Sequence, residues 1–183
     1  MNQLSQPEKL SKRILIACIG NIFLGDDGFG VEVAQRLRYR TYPEQVQVVD
    51  FGIRGVELAY TLLDGYDELV LVDAVPRGGI PGTLYLIEPD LSGISTGQGA
   101  QASQVALDAH GMDPVKMLAF ARMLGAQPIH TLIVGCEPAF IITDENLVDI
   151  HMGLSQPVQA AVDEAVKMLD SLVERLLTSA PVS

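Results

Sequence analysis

Cysteine, basic charge and the usual hydrolase signatures are all scarce in this chain, and each shortage excludes a class of function. Of 183 residues only two are cysteines, Cys18 and Cys136. Both sit inside apolar, strand-like runs rather than at a metal-ligand spacing, so they are expected as buried core thiols. Lys and Arg number 12 against 23 Asp and Glu, leaving a formal net charge of −11 and an isoelectric point near 4.5. With no basic patch to meet phosphates or anionic lipid, nucleic acid and membrane surfaces are poor partners, and a protein or a cation fits better. The segment from Met1 to Arg13 lacks an apolar stretch and carries Glu8 among its lysines. It reads as neither a signal peptide nor a spanning helix, and the expected compartment is the cytoplasm. There is no H-E-x-x-H, no serine on a strand-to-helix elbow and no plausible base beside either cysteine, so a self-contained protease is disfavoured.

What is present is enough apolar chain, 48% of residues, for one well-buried domain. The expected division is a polar flexible leader over 1–13, one domain over 14–178 and a short tail over 179–183. Runs rich in Val, Ile and Leu at Ile14–Ile19, Val46–Val49, Leu69–Val72, Thr83–Ile87 and Thr131–Val134 predict five strands. Between them lie helical stripes: Val33, Ala34, Leu37; Val56, Ala59, Tyr60, Leu63; and Met117, Phe120, Ala121, Leu124. Asp113-Pro114 is a good start for the third helix and Gly125 a good stop. A final, longest helix is expected from about Ser155 to Leu177, with Val158, Ala161, Val162, Ala165, Val166, Leu169, Leu172, Val173 and Leu176 on its buried face.

Alternation of strands and helices predicts an α/β three-layer sandwich, in which a mostly parallel five-stranded sheet is covered by helices on both faces. The alternation breaks once. DAVPRGGIPGT, Asp73 to Thr83, is too short and too rich in Pro and Gly for a crossover helix, so the strand after it should be antiparallel or at an edge, making the sheet mixed. A second irregular stretch, about Pro89 to Ala109, is long enough to suggest a functional loop.

In open α/β sheets, ligands bind outside the carboxyl ends of the strands. Asp27 follows the first strand, Asp73 ends the third and His110 closes the long loop. Two carboxylates and an imidazole with open positions suit a borderline metal such as nickel or zinc, without choosing between them. Bland alternatives stand beside this. Asp26 and Asp27 suit a turn or helix N-cap; Asp73 could cap its own loop, although a carboxylate ending a buried strand needs a partner or a metal. His130 and His151 read as structural. Gly28-x-Gly30, with Asp50 about 20 residues onward, hints at a dinucleotide fold. Against that, Val33 occupies the third fingerprint position, and two acids would repel a pyrophosphate.

The order Gly20-Asn21, four residues, Asp26-Asp27, Gly28-x-Gly30 closely resembles the opening of hydrogenase maturation endopeptidases. Further matches are Asp50 and its glycines in VVDFGIRGVEL, the Pro-Gly before TLYLIE, the VGCEP segment and GLSQPV at the last helix. Departures are the leader, the tail and Asp rather than Glu at position 27, where family members use either acid. The resemblance implies an endopeptidase that removes the C-terminal extension of a nickel-loaded hydrogenase large-subunit precursor. It makes Asp27, Asp73 and His110 the metal-binding and catalytic residues, with nickel supplied by or shared with that partner. Asp50 is expected to position the first loop or the peptide through hydrogen bonds, or else merely to cap a turn. The alternative function on the same three ligands is a non-enzymatic nickel carrier or maturation checkpoint.

Overall fold

The computed structural model describes residues 12–91, 114–140 and 152–179. Five strands, β1 (Ile14–Ile19), β2 (Val46–Gly52), β3 (Glu68–Ala74), β4 (Leu84–Ile87) and β5 (His130–Cys136), form one sheet in the order β2-β1-β3-β5-β4. The β2/β1, β1/β3 and β3/β5 pairs are parallel, and β4 runs antiparallel to β5 at the edge. The loop without a crossover helix thus has the predicted consequence. Among the described residues four α-helices cover the sheet: α1 (Phe29–Leu37), α2 (Gly55–Thr61), α3 (Pro114–Met123) and α4 (Gln156–Thr178).

Successive strand residues point to opposite faces, and each face has its own core. Ile14, Ile16, Cys18, Val70, Val72, Val134 and Cys136 pack under α1 and α4, while Leu15, Ala17, Ile19, Leu69, Leu71 and Ile133 pack under α2 and α3. Strands covered on both sides have no solvent face to mark with polar residues, which is why their sequences read as continuous apolar runs. Both cysteines are fully buried, and the nine residues assigned to the inner face of α4 are all buried there. Among the described residues no helix is long and apolar enough to cross a membrane.

Several expectations need correction. Periodicity puts Tyr60 and Leu63 on the buried stripe of α2, yet both are exposed and Leu58, Ala59 and Leu62 turn inward. The helix has only seven residues before tightening into a 3-10 turn over Leu62–Asp64, too short for the stripe to be read reliably. Leu124 lies past the end of α3 and is partly exposed. β2 extends to Gly52 because its pairing with β1 continues beyond Val49, so Asp50 is a strand residue opposite Cys18 rather than a residue after the strand. Lys12 and Arg13, placed in the leader, are held in the fold. Lys12 Nζ donates to Glu68 at 2.8 Å, and the Arg13 N–H donates to Asp67 at 2.7 Å.

Gly30 shows why a glycine pair opens α1. A Cβ there would lie 2.1 Å from the Ile19 carbonyl oxygen and 2.3 Å from that of Val72. The glycine lets the first turn of α1 sit against the ends of β1 and β3, a packing role with no need of a phosphate.

Candidate active site

The carboxyl ends of β1 and β3 are adjacent, and the two acids leave from them side by side. Asp27 lies in a 3-10 turn, Gly25–Gly28, between β1 and α1, and Asp73 is the penultimate residue of β3. They are close enough for the charge on Asp27 to act on Asp73. Burial first, and then Asp27, hold the Asp73 carboxyl well above the usual aspartate range, against the opposing hydrogen bond from the Ala74 N–H at 2.8 Å. Burial also raises Asp27, opposed by the Asn21 N–H, which donates to its Oδ2 at 2.8 Å. Two such groups hold protons in reserve, or share a cation that relieves their mutual repulsion.

The backbone around Asp27 is tightly specified. Asn21 Oδ1 accepts from the Phe23 N–H at 3.0 Å, and the Asn21 carbonyl accepts from the Leu24 N–H at 3.0 Å, so the residue folds the loop locally. Gly20 has φ +140°, and a Cβ there would stand 2.0 Å from the Asp27 carbonyl oxygen, which leaves glycine as the residue that fits. The Gly20 N–H donates to the Gly52 carbonyl at 3.0 Å, and the Gly52 N–H donates to Asp50 Oδ1 at 3.0 Å. Asp50 therefore caps a turn, and that turn carries the loop that holds Asp27.

Adjacent in sequence, Asp26 and Asp27 have different surroundings. Neither carboxylate caps α1, whose N-cap is Gly28. Asp26 is fully buried and accepts three hydrogen bonds: from the Ala139 N–H at 2.7 Å, the Ser155 N–H at 2.6 Å and the Ser155 hydroxyl at 2.9 Å. It joins the first loop to the exit of β5 and to the N-terminus of α4.

Glu137 does the same for the other acid. Buried at the end of β5, it accepts from the backbone N–H groups of Arg77 and Gly78 and from the Tyr85 hydroxyl, fixing the loop that follows Asp73. Burial would raise its pKa, but these donors, with Tyr85 foremost and the Gly79 N–H included, hold it below the usual glutamate range. Sequence reasoning assigned no role to Glu137 and no tie to Asp26. The available signal was a carboxylate directly after an apolar strand, which burial obliges to find donors.

His110 lies outside the described residues, as do His151, Asp113 and nearly all of the Pro89–Ala109 loop. Among the described residues no group of three His, Cys, Asp or Glu side chains could hold a metal; the structure brings Asp27 and Asp73 together without addressing the third ligand. His130 sits at the opposite end of the sheet. There its Nδ1 meets the buried Glu68, which also pairs with Lys12, and its Nε2 lies 3.2 Å from Glu88. That placement is structural, as expected.

A family model described as hydrogenase maturation protease matches residues 31–171, a stretch that contains Asp73 and His110 and begins shortly after Asp27. The hydrogenase expression/formation protein HoxM of Azotobacter vinelandii is 35% identical over 170 residues, covering 91% of this chain and 75% of that protein. Among solved structures, the hydrogenase maturating endopeptidase HybD from E. coli matches with a TM-score of 0.65 at 25% identity, over 90% of this chain and 93% of that one. The hydrogenase 2 maturation peptidase of a Thaumarchaeota archaeon matches with a TM-score of 0.63 at 29% identity, over 89% and 99%.

Proposed function

From the premise that this chain belongs to the hydrogenase maturation protease family, we propose that it is the endopeptidase that removes the C-terminal extension from a nickel-loaded hydrogenase large-subunit precursor. The observation that carries the reading is the acid pair: Asp27 and Asp73, both with raised pKa, at the carboxyl ends of neighbouring strands. Holding two carboxylates together is unfavourable unless a proton or a cation joins them, and a cation brought by the substrate meets that need. His110 is the third donor of the proposed set. Two hard oxygens and one imidazole bind free nickel only modestly, so thiolates of the precursor complete the coordination and the metal serves as recognition handle.

Nickel carried in the substrate supplies Lewis-acid polarisation at the scissile carbonyl. The chain's own part is orientation. The Asn21 N–H fixes one oxygen of Asp27, the Ala74 N–H fixes one of Asp73, and the bonds of Asp26 to Ala139 and of Glu137 to Arg77 and Gly78 hold the two loops to the exit of β5. Water adds across the peptide bond, giving a new carboxylate on the large subunit and a new amine on the released extension. In this reading the reaction takes place in the cytoplasm.

The test is to mix the protein with large-subunit precursor, with and without nickel, and to weigh the products. A shortened large subunit is expected from the nickel-loaded precursor alone. His110→Ala should abolish processing while leaving thermal unfolding unchanged. Cleavage of metal-free precursor, or full activity of the His110→Ala protein, would overturn the mechanism; binding without cleavage would identify a carrier or checkpoint instead.

A further inference from the structure

Next to the acid pair, between the first loop and the turn after β2, lies a cavity of about 280 Å³ with Ile22, Phe23, Val31, Phe51 and Ile53 among its walls. Its size is below the roughly 300–1,000 Å³ of small-molecule sites, and it offers little polar guidance. Asn21, Asp50 and Arg54 also line it, yet each is engaged by the surrounding backbone. Asn21 Oδ1 accepts from Phe23, Asp50 Oδ1 accepts from Gly52, and the Arg54 guanidinium donates to the carbonyls of Phe51 and Asp50. What remains to reward a ligand is apolar contact.

Three large apolar side chains stand at its rim in solvent: Ile22 is 40%, Phe23 55% and Ile53 60% exposed. Single exposed apolar groups are ordinary, but three gathered around one cavity on a chain of net charge −11 form a docking feature. The cavity shares the first loop with the acid pair, because Asn21 lines it and donates its N–H to Asp27. It also lies at the end of β2, an edge strand that pairs with β1 alone among the described strands, where an extended chain can lie alongside.

We propose that this cavity is a specificity subsite that takes one large, uncharged apolar side chain of the precursor segment flanking the scissile bond, bound in extended form. The inference rests on the peptidase reading above. A helix would not enter a cavity of this size, and an acidic side chain would meet the carboxylate of Asp50 in its wall.

The experiment is steady-state processing of nickel-loaded precursor by the wild type, by Phe23→Ser/Ile53→Ser and by Tyr39→Ser, an exposed aromatic at the far end of α1. The double variant should raise KM tenfold or more with little change in kcat, and Tyr39→Ser should leave both unchanged. All three substituted side chains are exposed, so thermal unfolding should match the wild type. Replacing the large aliphatic residues of the extension by Asp, one at a time, should reproduce the KM effect at one position. Normal KM in the double variant overturns the subsite while the peptidase reading stands; failure of the wild type to cleave overturns both. A dimer in sedimentation that Phe23→Ser/Ile53→Ser converts to monomer, with KM unchanged, would assign the patch to self-association and refute the proposal.

Discussion

Replacing Asp26 with Ala should be among the most destabilising single changes outside the apolar core. Its carboxylate accepts three hydrogen bonds at 2.6–2.9 Å and is fully buried. A hydrogen bond to a charged group contributes about 1.5–3 kcal/mol net, so three independent ones would sum to roughly 4.5–9 kcal/mol. They share two oxygens, and burying the charge itself costs several kcal/mol, which brings the expected net loss for Asp26→Ala to about 4 kcal/mol. Asp26→Asn keeps one acceptor oxygen and should lose about half as much, near 2 kcal/mol. In urea, with a slope of about 2 kcal/mol per M, the alanine variant should unfold at a midpoint lower by about 2 M. Coupling provides the sharper check. Ser155→Ala should cost about 1 kcal/mol in the wild type and almost nothing in the Asp26→Ala background, because the hydroxyl then has no acceptor to lose. A loss below about 1 kcal/mol for Asp26→Ala, or strictly additive effects in the cycle, would refute the clasp.

Asp73→Asn should stabilise the protein at neutral pH while ending its proposed activity. The folded-state carboxyl titrates above its unfolded value through burial and the charge of Asp27, so the native chain holds that proton more tightly. Stability is then lost as pH rises from about 4 through the folded pKa. The asparagine variant escapes that loss, so its advantage should be present at neutral pH and vanish in acid; a wild type more stable than Asp73→Asn at neutral pH contradicts the argument. His130 shifts in the same direction for a different reason. Burial alone would lower its pKa, but the hydrogen bonds and charges of Glu68 and Glu88 raise it. Its contribution is full below the unfolded value of about 6.5 and is lost as pH rises through the folded one. The stability difference between wild type and His130→Gln should therefore narrow with increasing pH above about 6.5, and a constant difference across that window would show that the pairing does not depend on charge.

The sheet was legible because its cause is local and repeated. Burial on both faces forces unbroken apolar strands, and the Pro/Gly-rich Asp73–Thr83 stretch leaves no room for a crossover, so even the antiparallel edge strand could be read. The long helix α4 was legible because 23 residues give a periodic pattern many repeats in which to show itself. The seven residues of α2 do not, which is why Tyr60 and Leu63 were placed inward. Asp27 and Asp73 could be proposed from residue type and from position after strands. The roles of Asp26 and Glu137 were hidden, because their donors at Ala139, Ser155, Arg77 and Tyr85 lie more than fifty residues away in sequence and no local pattern announces them.

The separation of labour among these four carboxylates explains how the site tolerates its own repulsion. Asp27 and Asp73 resist being ionised together, and loops free to relax would let them drift apart. Each loop is instead anchored by a different acid whose lone pairs are filled by backbone donors: Asp26 beside Asp27, and Glu137 on the loop after Asp73. Both anchors converge on the same few residues at the exit of β5. Glu137 supplies its carboxylate there, and its backbone also bonds to Gly82 and Thr83, while Ala139 donates its N–H to Asp26. The exit of β5 thus spaces the acid pair without touching it. Stability given up at Asp27 and Asp73 is offset one residue away and one strand over, by carboxylates of the same chemical type whose oxygens are filled by hydrogen-bond donors. In the proposed reaction, a site held apart in this way is ready for the cation that the precursor would bring.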